Sequence, residues 1–204
     1  MAGRGLTKIK ICGITNPDDA IIAAELGVDA VGFIFTTSKR EINPKIAREI
    51  IEKLPPFITT VGVFKNETQK NLNQIAAYTN IDIVQLHGNE TPDYCNRIKK
   101  KVIKRFLIND NNKKTDLVSL MNKYSVSAYL LDPGEGSGKK FDWNLAINID
   151  LPLIIAGGLT PKNVKEVINL LAPYGVDVSS GVEKSPGIKD IKKIRRFIEE
   201  VRSC

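Results

Sequence analysis

Eight short apolar runs, each followed by a segment with helical spacing, restrict what this chain can fold into more than any other feature. The strand-like runs are roughly 8–12, 30–34, 58–63, 82–86, 102–107, 127–131, 152–156 and 175–179. Helical patterns occupy 17–26, 43–53, 67–78, 92–100, 113–123, 141–147, 161–171 and 188–202. Asn16-Pro17, Asn43-Pro44, Thr91-Pro92 and Thr160-Pro161 each set a capping side chain before a proline, a helix start. Gly27 and Gly175 read as stops after the first and seventh helices. Strict β–α alternation demands a parallel sheet covered by helices, because each strand must be reached by a crossover. Eight such units in 204 residues fit the small end of the α/β class that closes as a (β/α)8 TIM barrel. The expectation is a single domain over 1–204, with 1–7 a frayed N terminus.

In Lys8-Ile9-Lys10-Ile11-Cys12, successive side chains take opposite faces, so Ile9 and Ile11 share one and Lys10 and Cys12 the other. If the barrel closes, the eighth strand lies beside the first. In Val176-Asp177-Val178 the valines then face the helices and Asp177 faces inward with Lys10. A buried charge needs a partner, so Lys10 and Asp177 are expected to pair across the closing seam.

Charge and cysteine usage narrow the function classes. The formal charge is +7, but Lys and Arg are scattered among acids. The densest group, Lys189 to Arg202, interleaves with Ile191, Ile194, Phe197, Ile198 and Val201 as an amphipathic helix with a solvated basic face. Neither a nucleic-acid stripe nor a membrane span is indicated; a positive field would draw a small anion. The opening residues hold no apolar signal core, which suggests a cytoplasmic location. Three cysteines without a C-x-x-C pair argue against a disulfide framework and a zinc ribbon, and Cys95 and Cys204 read as incidental thiols. The lone His87 has no cluster at ligand spacing, so no metal is expected, and neither a G-x-G-x-x-G nor a P-loop is present.

Four segments can carry chemistry. Cys12 ends the first strand, where barrels place reacting groups, although a free cysteine is more often a small buried hydrophobe. Gly157-Gly158 and Ser180-Gly181 follow strands seven and eight, and their uncovered backbone N–H groups can cradle a phosphate. Asp132 starts a long Gly-rich loop, 130–143, which either folds over a ligand or is a solvated connection. Gln85 and His87 share a face of the fourth strand and could both reach the barrel mouth as polar ligands. Arg40, after the second strand, is either a surface residue or a bidentate clamp for a carboxylate.

These residues together resemble the phosphoribosylanthranilate isomerase family. Lys10-Ile11-Cys12-Gly13-Ile14-Thr15 is similar to its first motif in full; Gly62-Val63-Phe64-Lys65-Asn66, Val84-Gln85-Leu86-His87-Gly88 and Gly157 to Val164 resemble its third, fourth and seventh. Ser179 to Asp190 resembles the eighth closely. The second loop matches only at Ser38 and Arg40, and Ser137 stands where the family often has threonine. The resemblance implies a cofactor-free isomerisation of N-(5-phosphoribosyl)anthranilate to the 1-deoxyribulose 5-phosphate derivative, a step of tryptophan biosynthesis. It further implies Asp132 as acid, Cys12 as base, Gly157, Gly158, Ser180 and Gly181 as phosphate holders, and Arg40 on the anthranilate carboxylate. A monomer or homodimer is compatible with it.

The implied chemistry sets a demand. At ordinary pKa values about 3% of thiols are ionised and about 0.1% of carboxyls protonated at pH 7, so the competent form is roughly 3 in 100,000, a handicap of about 6 kcal/mol. The site must shift both groups, or do so when substrate arrives. Lys10 is placed to favour a thiolate unless Asp177 neutralises it. Rival readings are a lysine-dependent aldolase or synthase, for which Lys104 is the one candidate; a non-catalytic phosphate sensor; and a thiol hydrolase, for which no histidine is tied to Cys12.

Overall fold

The computed structural model describes residues 6–108, 113–134 and 143–204. Ser137, most of the Gly-rich loop and the first residues of the sixth helical pattern lie outside the described residues.

β1 (Lys8–Cys12), β2 (Ala30–Ile34), β3 (Thr59–Phe64), β4 (Ile83–Leu86), β5 (Lys101–Leu107), β6 (Ala128–Asp132), β7 (Leu153–Ile155) and β8 (Gly175–Val178) form one closed parallel barrel in sequence order. The alternation in each strand splits the apolar residues into two cores. One lies between strands and helices and includes Ile9, Ile11, Val176 and Val178. The other fills the barrel with Val61, Ile103, Ala128, Leu130, Ile154 and Ala156. β8 closes on β1 with Lys10 opposite Asp177, and Lys10 Nζ lies 2.7 Å from Asp177 Oδ2. The seam pair read from the alternation is present and buried.

The helices are α1 (Pro17–Glu25), α2 (Pro44–Ile51), α3 (Gln69–Thr79), α4 (Pro92–Asn96), α5 (Lys114–Met121), α6 (Val164–Leu171) and α7 (Ile191–Arg202). Prolines at the starts of α1, α2 and α4 follow the capping residues Asn16, Asn43 and Thr91, each of which accepts a backbone N–H. Four departures from the expected elements have local causes. The sixth unit carries a short 3-10 turn, Trp143–Ala146, in place of an α-helix. The seventh helix starts at Val164 rather than 161, because Asn163 accepts from Thr160 N–H and donates to Gly158 O, folding 160–163 into a turn. Its stop is Ala172, at φ 43, and Gly175 belongs to β8 instead. Residues 188–190 are not helical: Ile188–Lys189 (β10) pairs antiparallel with Glu183–Ser185 (β9), and Asp190 caps α7.

The last departure moves Lys189 off the solvated basic face expected for it. Its side chain is 0% exposed and points into the rim of the barrel.

Candidate active site

Cys12 and Asp132 are the last residues of β1 and β6, so both stand at the C-terminal rim. A chain of close approaches joins them through the intervening loops. A methyl group on Gly157 would lie 3.0 Å from Asp132 Oδ1, and one on Gly181 would lie 1.9 Å from Leu159 O. Loop 7 therefore leans on Asp132, and loop 8 presses against loop 7 so closely that only glycine fits at 181. On the other side, the same construction at Gly13 falls 3.0 Å from Ser179 Oγ and 2.7 Å from the Arg40 side chain. Gly157 and Gly158 turn loop 7 at φ 83 and 65, and the space above Gly158 is open. Ser180 and Gly181 lie in a three-residue 3-10 turn directly after Ser179. The structure thus brings Cys12, Asp132, Arg40, Gly157, Gly158, Ser180 and Gly181 to one rim.

Two expected ligand-facing residues are engaged differently. Arg40 places Nε 2.8 Å and Nη2 2.7 Å from the two oxygens of Glu183. The side-on edge, Nε and one Nη2 proton, is taken, which leaves Nη1 and the second Nη2 proton for a ligand. Gln85 is 1% exposed and sits one interior position below His87, so it does not reach the mouth. Its Nε2 lies 3.4 Å from His87 Nδ1, and His87 Nε2 lies 3.4 Å from Asp132 Oδ2. His87 alone of the two stands at the rim.

Electrostatics push the thiol and the carboxyl in opposite directions at this rim. Burial pushes the Cys12 thiol up; Lys10 opposes this, Asp177 adds to it, and Lys189 opposes it. Lys10 is paired with Asp177 at 2.7 Å, the condition under which it is not expected to favour a thiolate, and burial is the largest influence on the thiol. Burial alone would lift Asp132 as well. The hydrogen bond from His87, the Gly134 N–H at 2.9 Å and the charge of Arg105 outweigh it and hold the carboxyl below its usual value. The resting rim carries a thiol and a carboxylate.

Sequence reading missed Lys189 and Glu183. Lys189 Nζ donates to Cys12 O at 2.6 Å and to Glu183 Oε1 at 2.9 Å, and its N–H donates to Asp19 at 2.8 Å. Lys193 Nζ holds the Glu183 carbonyl at 2.7 Å. The hairpin β9–β10 is thereby a clasp between β1, the Arg40 loop and α1. Lys104, the candidate for imine chemistry, points outward from β5 and is buried against Glu90 at 3.0 Å and Gly88 O at 2.6 Å. It cannot reach a substrate in the barrel mouth.

A closed (β/α)8 barrel with a carboxylate, a thiol and two interlocked glycine loops at its C-terminal rim defines an enzyme scaffold of the acid–base type. Comparison with known proteins makes the assignment particular. The family model described as N-(5'phosphoribosyl)anthranilate (PRA) isomerase matches residues 9–200. An N-(5'-phosphoribosyl)anthranilate isomerase of Geotalea uraniireducens (strain Rf4) is 46% identical over 207 residues, covering 97% of this chain and 99% of the relative. The crystal structure of phosphoribosyl anthranilate isomerase from Thermotoga maritima is 40% identical with a TM-score of 0.90, over 98% of this chain and 100% of the other. A further isomerase structure, in complex with reduced 1-(o-carboxyphenylamino)-1-deoxyribulose 5-phosphate, is 38% identical with a TM-score of 0.84, over 98% and 100% of the two chains. The chain belongs to the phosphoribosylanthranilate isomerase family.

Proposed function

We propose that this rim converts N-(5-phosphoribosyl)anthranilate to 1-(2-carboxyphenylamino)-1-deoxyribulose 5-phosphate, with Asp132 as general acid and Cys12 as general base. The observation that carries the reading is the run of contacts from Asp132 through Gly157, Leu159, Gly181 and Ser179 to the turn after Cys12. It gives one substrate two reacting groups and a set of backbone N–H groups between them.

Protonated Asp132 gives its proton to the ribose ring oxygen. The C1'–O bond breaks with its electron pair going to that oxygen, and the anthranilate nitrogen lone pair forms the C1'=N bond of a protonated imine. Cys12 thiolate then takes the C2' proton; the C2'–H pair becomes C1'=C2', and the C=N pair returns to nitrogen. The resulting enolamine loses the proton of its C2' hydroxyl and gains one at C1', which leaves the ketone. Two hydrogens have changed position, no net redox partner is required, and no cofactor enters the sequence of steps.

The loops assign the rest of the substrate. Gly157, Gly158, Ser180 and Gly181 hold the phosphate, as small residues whose N–H groups are uncovered. Arg40 meets the anthranilate carboxylate through Nη1 and is aimed by Glu183. The partner is this small anionic molecule; nucleic acid and membrane have no part in the reading. Cytoplasmic biosynthesis is the setting it suits, with the protein acting as a monomer or homodimer.

A fluorescence assay with freshly prepared phosphoribosylanthranilate tests the activity: cofactor-free, saturable loss of the substrate signal is expected. Binding of the reduced product analogue with no turnover would turn the reading to a sensor. Borohydride trapping of a lysine adduct would turn it to imine chemistry.

A further inference from the structure

Three groups meet at the acid side of the rim, and only one of them, Asp132, is used by the reaction as written. Gln85 Nε2 faces His87 Nδ1 and His87 Nε2 faces Asp132 Oδ2, each at 3.4 Å. Gln85 Oε1 is buried and has no hydrogen-bond partner among the described residues. Side-chain amides and imidazoles carry complementary information, since each can present a donor or an acceptor at a given point. With the amide N–H₂ toward Nδ1, that ring nitrogen must be an acceptor, and the ring proton sits on Nε2, directed at Asp132. An imidazolium has a donor at both nitrogens, so Nδ1–H requires the amide to turn and offer its orphaned oxygen. Buried acceptors rarely go unpaired, and a half-turn about the last bond of Gln85 supplies the missing bond.

We infer that Gln85 is a positioning residue for the acid: through His87, it decides whether the Asp132 side of the rim holds a spare proton. In one amide orientation His87 is neutral, with its Nε2–H bonded to the carboxylate. In the other, His87 is an imidazolium, and Nε2 can pass its proton to Asp132 Oδ2, which passes one to the ring oxygen. The transfer leaves His87 neutral with its proton on Nδ1, donated to Gln85 Oε1. One proton moves at each stage and none is created. The device answers the electrostatic problem of the resting rim, where the carboxyl is held charged.

Among the described residues, the charged groups around the imidazole are these. Asp132 faces it from β6, and Arg105 of β5 acts on that carboxylate. Behind the β4 loop, Glu90 and Lys104 neutralise one another while fixing Gly88 N and O. Lys65 follows β3, the other neighbour of β4.

The chain has a single histidine, so ring ¹⁵N spectra report this group without assignment. In the wild-type protein the neutral ring is expected as the Nε2–H tautomer; an Nδ1–H tautomer overturns the inference without any variant. In Gln85→Glu, the carboxylate favours the imidazolium. The His87 midpoint and the basic limb of the kcat/KM profile, where the proton donor is lost, should then rise together by about one pH unit or more. In Gln85→Leu, which offers Nδ1–H no acceptor, both should fall. A purely structural Gln85 would lower kcat in both variants and leave the limb and the midpoint in place, and that result in folded variants overturns the inference. The inference rests on Asp132 as the acid. Full activity in Asp132→Asn would remove that premise, whereas an unmoved His87 in Gln85→Glu removes this inference alone.

Discussion

Lys189 Nζ lies 2.6 Å from the carbonyl oxygen of Cys12, inside a rim where its side chain has no exposure to solvent. The ammonium is paired with Glu183, which also takes the side-on edge of Arg40. A residue near the C terminus thereby fixes the backbone that carries the thiol. Replacing it with Lys189→Met removes one member of a buried charged pair and leaves the Cys12 carbonyl unbonded. The expected cost is about 3 kcal/mol or more in urea unfolding. The residual folded protein should show a lower kcat with a thiol that titrates higher. Unchanged thiol titration in a folded variant would separate Lys189 from the chemistry.

Lys10 and Asp177 close the barrel seam at 2.7 Å with both side chains buried. Asp177→Leu alone should cost about 3–5 kcal/mol, because it strands an ammonium in the interior. The double change Lys10→Met with Asp177→Leu should recover much of that loss, as apolar groups of similar size can replace a buried pair. Additive losses in denaturant unfolding would mean the two residues act independently.

Gly181 leaves no room for a side chain, since its added methyl would fall 1.9 Å from Leu159 O. Gly181→Ala must push loops 7 and 8 apart. The expected result is KM raised by about tenfold or more, equivalent to about 1.4 kcal/mol, with a parallel loss of inhibition by inorganic phosphate. A variant with unchanged KM would remove these loops from phosphate binding.

Acid should release two ties, those of Asp29 and Glu183. Burial alone would raise Asp29, but hydrogen bonds from Lys8, Ile9 N–H and Arg202 hold it below its ordinary value. Burial likewise opposes Glu183, which Arg40 and Lys189 hold down. Each folded-state pKa is depressed, so each contribution is complete above the unfolded value near 4 and is lost as pH falls through the lower folded value. Glu183→Gln should therefore be less stable at pH 7 and show a weaker further loss below pH 4 than the parent. Thermal melts across that range check it, and parallel curves would contradict it.

The eight β–α units are enough to read the barrel; given closure, the alternation of side chains in β1 and β8 gives the Lys10–Asp177 seam, because a period of two leaves only one face for each charge. Cys12, Asp132 and the glycine loops were legible as strand ends and by resemblance. What escaped reading depends on distant contacts. Lys189 continues the helical spacing of α7, and only the pairing of β9 with β10 removes it from that helix. Arg40 and Glu183 are 143 positions apart, so no local pattern links them. Gln85 precedes His87 by two residues on one strand face and so lies one layer deeper, but periodicity does not say that its side chain is as fully buried as it is.

The division of labour between the two rim ends is tested most directly by turnover of phosphoribosylanthranilate with Cys12→Ser and Asp132→Asn, each confirmed as folded. The account predicts a fall in kcat of at least about 100-fold for each, with binding of the reduced product analogue retained. Turnover at the parent rate after both groups are removed would contradict it.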